Sequence, residues 1–227
     1  MPDFYSLLMQ LWTRSNIIFV SGASGTGKTS LVQFLVGNAL AHDLKNKSCV
    51  WIQASEPFPS TRFKAMQPPE LLKHIYVTPP SGVYQNYLQQ EMDLRAISSG
   101  IKLLPPSLFF LVIDNISHHL RYEISQTSDI SRVTRLMDKF YAIQLQPLIL
   151  KCMREGIRLI LIHEVSYNPN LGKEAPFFHK LYDRVKGVVR IHLVKDLFSK
   201  KLSMHLNSEE QSWTGRYKIH STGFLFV

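Results

Sequence analysis

Residues 22–29 read Gly-Ala-Ser-Gly-Thr-Gly-Lys-Thr, and few folds accommodate a stretch that fits G-x-x-x-x-G-K-[ST] at every fixed position. It follows the apolar run Asn16-Ile-Ile-Phe-Val-Ser21 and precedes Leu31, Phe34, Leu35 and Leu40 at helical spacing. The segment therefore joins a strand over 16–21 to a helix over 28–40. Gly22, Gly25 and Gly27 permit backbone conformations closed to other residues, so successive N–H groups can converge on phosphate oxygens at the positive end of the helix. The predicted cradle is Gly22, Ala23, Ser24, Gly25, Thr26, Gly27, Lys28, Thr29 and Ser30. Lys28 would reach the β and γ phosphates of ATP, and the Thr29 hydroxyl would ligate Mg²⁺. A glycine-rich turn that binds nothing is the alternative, and it gives no reason for the flanking strand and helix.

A second metal ligand is expected at the end of another strand. The run over 108–113 is wholly apolar and ends in Asp114. That is the Walker B arrangement, in which the acid holds a water on Mg²⁺ opposite Thr29, since ligands in such sheets bind beyond the carboxyl ends of the strands. Hydrolysis also needs a group that orients the attacking water. Glu56, just past the strand over 49–54, is the candidate base, with a solvated loop acid as its alternative. Arg62, six residues on, reads equally as a cation stacked on adenine and as a surface cation.

Strand and helix patterns alternate along the chain, as in an α/β fold whose mostly parallel sheet is covered on both faces. Strands are expected over 16–21, 49–54, 74–78, 108–113 and 158–163, with an irregular stretch over 53–69 and helices over 83–98 and 129–154. Pro147 should kink or divide the last of these. Its apolar stripe of Val133, Leu136, Met137, Phe140, Tyr141, Leu148 and Cys152 reads as core packing. Short strands over 188–193, 202–206 and 217–221 suggest a C-terminal antiparallel extension. At 227 residues, 45% of them hydrophobic, one well-buried domain over 1–227 is expected. The apolar run over 108–113 is far short of the roughly 20 residues of a membrane span, so no membrane partner and a cytoplasmic location are expected. Cys49 and Cys152 read as reduced, buried thiols. His118-His119 lacks companions for a metal site and reads as a solvent-facing pair.

The formal net charge of +9 favours a polyanionic partner. Residues 173–227 hold ten Lys or Arg against five Asp or Glu, with Lys173, Lys180, Arg184, Lys186, Arg190, Lys195, Lys200 and Lys201 in one stretch. A solvated basic face explains the same charge. Arg132, Arg135 and Lys139 could add phosphate contacts from the helix over 129–154.

The order of these parts resembles the RecA-type recombinases, most closely the archaeal RadB proteins, which lack an N-terminal helix-hairpin-helix domain. The likeness is carried by the phosphate loop, by Glu56 followed by Pro57-Phe58 and Arg62, by Asp114-Asn115-Ile116 and by Arg121-Tyr-Glu123. Ile162-His-Glu-Val165 stands where that family has Asn-Gln-Val, and Arg216-Tyr-Lys-Ile-His-Ser-Thr-Gly223 resembles its closing segment. The resemblance implies a RecA-like core and an ATP- and DNA-binding accessory of recombinational repair with weak ATPase activity. Single-stranded or branched DNA would be the nucleic-acid partner, and a main recombinase or another repair protein the protein partner, in a homo- or hetero-oligomer.

DNA contacts would come from a first loop over 121–131, with Arg121, and from a second over 166–181. There Lys173, His179 and Lys180 would meet phosphates, and Tyr167, Phe177 and Phe178 would stack on bases or pack in an interface. Arg184 and Lys186 follow. The chain departs from the family where Glu164 replaces a γ-phosphate-sensing amide, because a carboxylate repels phosphate. Met9-Gln-Leu-Trp12 and Phe177-Phe178 stand in place of glycine pairs, and Phe4-Tyr-Ser-Leu7 does not match the assembly motif Phe-x-x-Ala. Two further readings stay open: a non-hydrolysing, ATP-dependent interaction module and a P-loop kinase, although no arginine-rich lid is evident.

Overall fold

The computed structural model describes residues 6–7, 10, 15–42, 47–168, 173–176, 181, 183–196, 202–208 and 212–226. Its centre is a nine-stranded sheet. The strands are β1 (Ile17–Gly22), β2 (Ser48–Gln53), β3 (Ile75–Thr78), β4 (Leu108–Asp114), β5 (Arg158–His163), β8 (Val189–Lys195), β9 (Leu202–Asn207), β10 (Ser212–His220) and β11 (Gly223–Phe226), in the order β11-β10-β9-β8-β1-β5-β4-β2-β3. From β8 to β3 every neighbouring pair is parallel, whereas β8-β9, β9-β10 and β10-β11 are antiparallel. The expected α/β class, with a mostly parallel sheet and a C-terminal antiparallel part, is therefore what the chain adopts.

Successive strand residues point to opposite faces, and this divides the core in two. Ile18, Val20, Trp51, Val112, Ile160 and Ile162 pack on one side with Leu31 and Leu35 of the helix Lys28–Ala41, with Phe63 of the helix Ser60–Met66 and with Tyr217 and Phe224. Phe19, Ile52, Leu111, Ile113, Leu159 and Leu161 pack on the other with the helices Tyr87–Ser98, His118–Ser125 and Gln146–Glu155. Such runs, apolar at every position, are what burial on both faces demands. Cys49 and Cys152 are buried and free, and burial pushes the Cys152 thiol up to about 12.

Several expectations need correction. The stretch over 53–69 is not wholly irregular, because Phe63 is completely buried and anchors the helix Ser60–Met66, and a 3-10 turn Pro69–His74 follows. The polar helix begins at Tyr87 rather than near residue 83, because the Asn86 side chain accepts from the Gln89 N–H and caps it there. The first presumed DNA loop, 121–131, is shorter than expected: 121–125 finish the helix His118–Ser125, which Leu120 anchors in the core, and Ile130 opens the next helix. The long helix is interrupted. It runs Ile130–Phe140, widens into a π turn at Tyr141–Leu145 and resumes as Gln146–Glu155, as the missing N–H of Pro147 requires. In the second presumed loop, β6 (Val165–Asn168) and β7 (Lys173–Pro176) pair antiparallel.

Met9, Leu11 and Trp12, Phe4 and Tyr5, the segment 177–180 with Phe177, Phe178, His179 and Lys180, and Lys200 and Lys201 lie outside the described residues. Among the described residues no helix is long and apolar enough to cross a membrane.

Candidate nucleotide site

β1 runs straight into residues 22–29, and the helix Lys28–Ala41 starts at once behind them. Gly27, the N-cap, has φ +86°, in the left-handed region that favours glycine, and no side chain caps the helix start. The donors of the first turn are thereby left to a ligand. A Cβ on Gly27 would lie 2.4 Å from Ile219 Cδ1, and one on Gly22 would lie 2.6 Å from the Leu193 carbonyl oxygen. Both glycines are thus dictated by close approach of the C-terminal strands. Tyr217 completes the backing, its hydroxyl donating to the Thr26 carbonyl at 2.7 Å.

β5 lies between β1 and β4, so the carboxyl ends of all three strands open on one cavity. The cavity has a volume of about 400 Å³ and is lined by Ser24, Gly25, Gly27, Lys28, Thr29, Ser30, Ser55, Glu56, Asp114, Asn115, Arg121 and Glu164, among others. Thr29 Oγ1 donates to Asp114 Oδ2 at 2.7 Å, which joins the ends of the two motifs. Lys28 Nζ donates to the Gly22 and Ala23 carbonyls at 2.9 and 3.0 Å. The backbone N–H groups of Ala54 and Ser55 donate to the Asp114 carbonyl at 2.7 and 3.3 Å, which carries Glu56 to the cavity edge. Asn115 turns the chain after β4, its Oδ1 accepting from Ser117 Oγ at 2.8 Å.

Charge in the cavity is finely opposed. Burial raises the Asp114 carboxyl against the pull of the Thr29 hydroxyl, and Glu56 adds to the rise while Lys28 opposes it; the result is about 6. Burial lowers the Lys28 ammonium, and the negative charge of Asp114, Glu164 and Glu56 works against that loss. Glu164 is not bare. Arg121 Nη1 donates to its Oε2 at 2.7 Å, and His118 Nδ1 lies 4.0 Å from its Oε1.

The structure brings together Gly22, Ser24, Gly25, Gly27, Lys28, Thr29, Ser30, Glu56 and Asp114, all selected from the sequence. Ala23 and Thr26 are not among the lining residues. They brace the loop instead, Thr26 Oγ1 donating to the Ala23 carbonyl at 2.8 Å. Arg62 is not among the lining residues either; its Nη1 donates to the Ser221 carbonyl at 3.2 Å and ties the β10-β11 turn to the helix Ser60–Met66. Arg121, a candidate for DNA contact, lies in the cavity wall. Arg184 pairs with Asp138 at 3.1 Å and lies over the Tyr141 ring, whereas Lys186 is exposed. Lys173 opens β7, where only its backbone is described, and Lys180 lies outside the described residues.

Two histidines beside the cavity residues are buried. His163 is buried against Phe19, ring centroids 5.3 Å apart and edge-to-face, and burial holds its imidazole down to about 3. His119 is not solvent-facing as expected: it is buried, with Nε2 at 2.9 Å from the Ala54 carbonyl oxygen. Tyr217 and Ile219 lie in the segment that resembles the family's close, but no local signal marks them, or Phe224, as the support of a loop some 190 positions earlier.

The donor set suits a magnesium nucleotide. Thr29 and Asp114 supply hard oxygens for a divalent cation, Lys28 a mobile cation, and the uncapped first turn N–H groups for phosphate. No protein-family model matches the chain, and no curated protein matches it.

Proposed function

We propose that this chain is a RecA-like P-loop protein that binds Mg-ATP at residues 22–30 and serves DNA recombination and repair as an accessory to a main recombinase. The observation that carries the nucleotide part is the 2.7 Å contact between Thr29 and Asp114, with Lys28 in the same cavity. Two motifs 85 residues apart meet there, and on this reading a cation between protein and phosphate would lie between them. The position of β5 between β1 and β4 adds support, because it presents Glu164 to the same cavity, as the family resemblance implies for its sensor. The net charge of +9 and the exposed Lys186 support an anionic polymer as partner, and single-stranded DNA is the form proposed.

Mg-ATP, when bound, supplies a phosphoanhydride activated toward attack by water. Residues 22–27 would hold its phosphates by backbone N–H groups, and Lys28 would leave the Gly22 and Ala23 carbonyls for phosphate oxygens. Thr29 and Asp114 would hold the cation, and Glu56 at the cavity edge would orient water. Titration with a fluorescent ATP analogue tests the nucleotide part: binding that needs Mg²⁺ and is abolished by Lys28→Ala supports it, and Lys28-independent binding counts against it. Anisotropy of a labelled single-stranded oligonucleotide at two salt concentrations tests the DNA part. Affinity that does not fall with salt would remove it.

A second reading is favoured by Glu164, a carboxylate in the cavity wall. In it the chain binds ATP without useful turnover, and the nucleotide stabilises a protein interface. Multiple turnovers lost on Lys28→Ala would exclude that reading.

A further inference from the structure

Arg121 belongs to the helix His118–Ser125, which begins four residues after Asp114, and its guanidinium reaches the cavity to pair with Glu164 at 2.7 Å. Three carboxylates, Glu56, Asp114 and Glu164, share the lining with two cations, Lys28 and Arg121. A triphosphate brings a terminal group with three equivalent oxygens and more negative charge than a diphosphate carries. Guanidinium is the side chain best shaped for such a group, since its planar fork donates two parallel hydrogen bonds. Its present partner is replaceable. The Arg121 and Glu164 side chains are 49% and 34% exposed, and an ion pair so open to water holds weakly. His118, 4.0 Å from the other Glu164 oxygen, is a second nitrogen for that carboxylate.

Resting on the nucleotide-binding reading above, we propose that Arg121 is the residue by which the site distinguishes a nucleoside triphosphate from a diphosphate, and that Glu164 competes with the terminal phosphate for it. The loop N–H groups serve phosphates that both nucleotides possess, and Lys28 spans the β phosphate of both as well as the γ phosphate of one. Arg121 serves the one that only the triphosphate has. Its exchange from Glu164 to phosphate removes one attraction and creates another, so the carboxylate sets the threshold at which the triphosphate is accepted.

The test is equilibrium titration of the full chain with Mg-ADP and a non-hydrolysable Mg-ATP analogue, read by a fluorescent label on the ribose. Arg121→Gln is expected to weaken the triphosphate about 10-fold and the diphosphate less than about 2-fold, as loss of a charge-assisted contact to one phosphate requires. Arg121→Lys, which retains charge but not the fork, should fall between, and it replaces Arg121→Gln if that variant fails to fold. Glu164→Gln should tighten the triphosphate about 3-fold and leave the diphosphate unchanged. Equal weakening of both nucleotides by the Arg121 variants, or no weakening of either, overturns the proposal. A wild-type chain that binds neither nucleotide, or binds them equally well with Lys28→Ala, overturns the nucleotide reading and this inference together. Lys28-dependent binding with an unaltered triphosphate preference in the Arg121 variants overturns this inference alone.

Discussion

Thr29 Oγ1 lies 2.7 Å from Asp114 Oδ2, so a helix start and a strand end meet through one hydroxyl and one carboxylate. Both are oxygen donors on rigid elements, and a divalent cation between them would be held by the fold rather than by a loop. Asp114→Asn is therefore expected to weaken Mg-nucleotide binding about 10-fold or more while leaving binding in EDTA nearly unchanged, as calorimetry with and without chelator would show. Because burial raises Asp114 to about 6, the magnesium-dependent increment should shrink as pH falls from 7 to 5, where the carboxyl takes up a proton.

His163 gives the stability of the fold itself a pH dependence of the same sign. Its folded-state value is held down to about 3, whereas the unfolded chain protonates near 6.5, so the unfolded state binds the extra proton between those limits. Stability is fully present above pH 6.5 and is lost as pH falls toward 3, by about 2 kcal/mol near pH 5. Asp114, raised rather than lowered, offsets part of this loss as pH falls below 6. His163→Leu removes only the histidine contribution, so its stability relative to the wild-type chain should rise as pH falls from 7 to 4. A difference in urea midpoint that does not change with pH would contradict this.

Gly27 faces Ile219 where a Cβ would come within 2.4 Å, and its φ is +86°. Gly27→Ala should cost about 1–3 kcal/mol and abolish nucleotide binding. Adding Ile219→Ala should recover part of the stability, because it removes the clash but not the backbone strain. No recovery in the melting temperature of the double variant would place the whole cost in the backbone.

Tyr217→Phe leaves ring packing against Phe224 intact and removes only the bond to the Thr26 carbonyl. The expected loss is about 1 kcal/mol, or a fall of about 2–4 °C in melting temperature for a chain of this size. Nucleotide affinity should fall with it, since the loop loses an anchor on its backbone.

Lys186 is exposed, whereas Arg184 is engaged with Asp138 and Tyr141. If DNA follows this surface, Lys186→Ala should lower single-strand affinity and reduce the salt dependence by about one counterion, with Arg184→Ala giving a smaller effect. Equal slopes in the wild-type chain and the Lys186 variant would move the interface elsewhere.

Much of this was legible in the sequence, for local reasons. The four strands β1, β2, β4 and β5 announce themselves because burial on both faces makes them apolar at nearly every position, and the glycine-rich loop because only glycine meets its contacts at Gly22 and Gly27. The helix His118–Ser125 was hidden because its polar residues outnumber Leu120 and its start depends on the Asn115 side chain, a bond that composition does not reveal. With that helix unread, Arg121 looked like a loop cation, although it lies seven positions beyond Asp114. The tether of Arg62 was hidden for the converse reason: its acceptor is Ser221, 159 residues later, and no spacing rule reaches so far. The same holds for Tyr217 and Thr26.

That last contact also sets a schedule. The loop that would grip phosphate is synthesised some 190 residues before its backing of Tyr217, Ile219 and Phe224, and closing contacts so distant in sequence is slow. A nascent chain therefore carries this glycine-rich motif long before the motif has a surface to lean on, and nucleotide would become a stabilising ligand only once translation has passed β10 and β11.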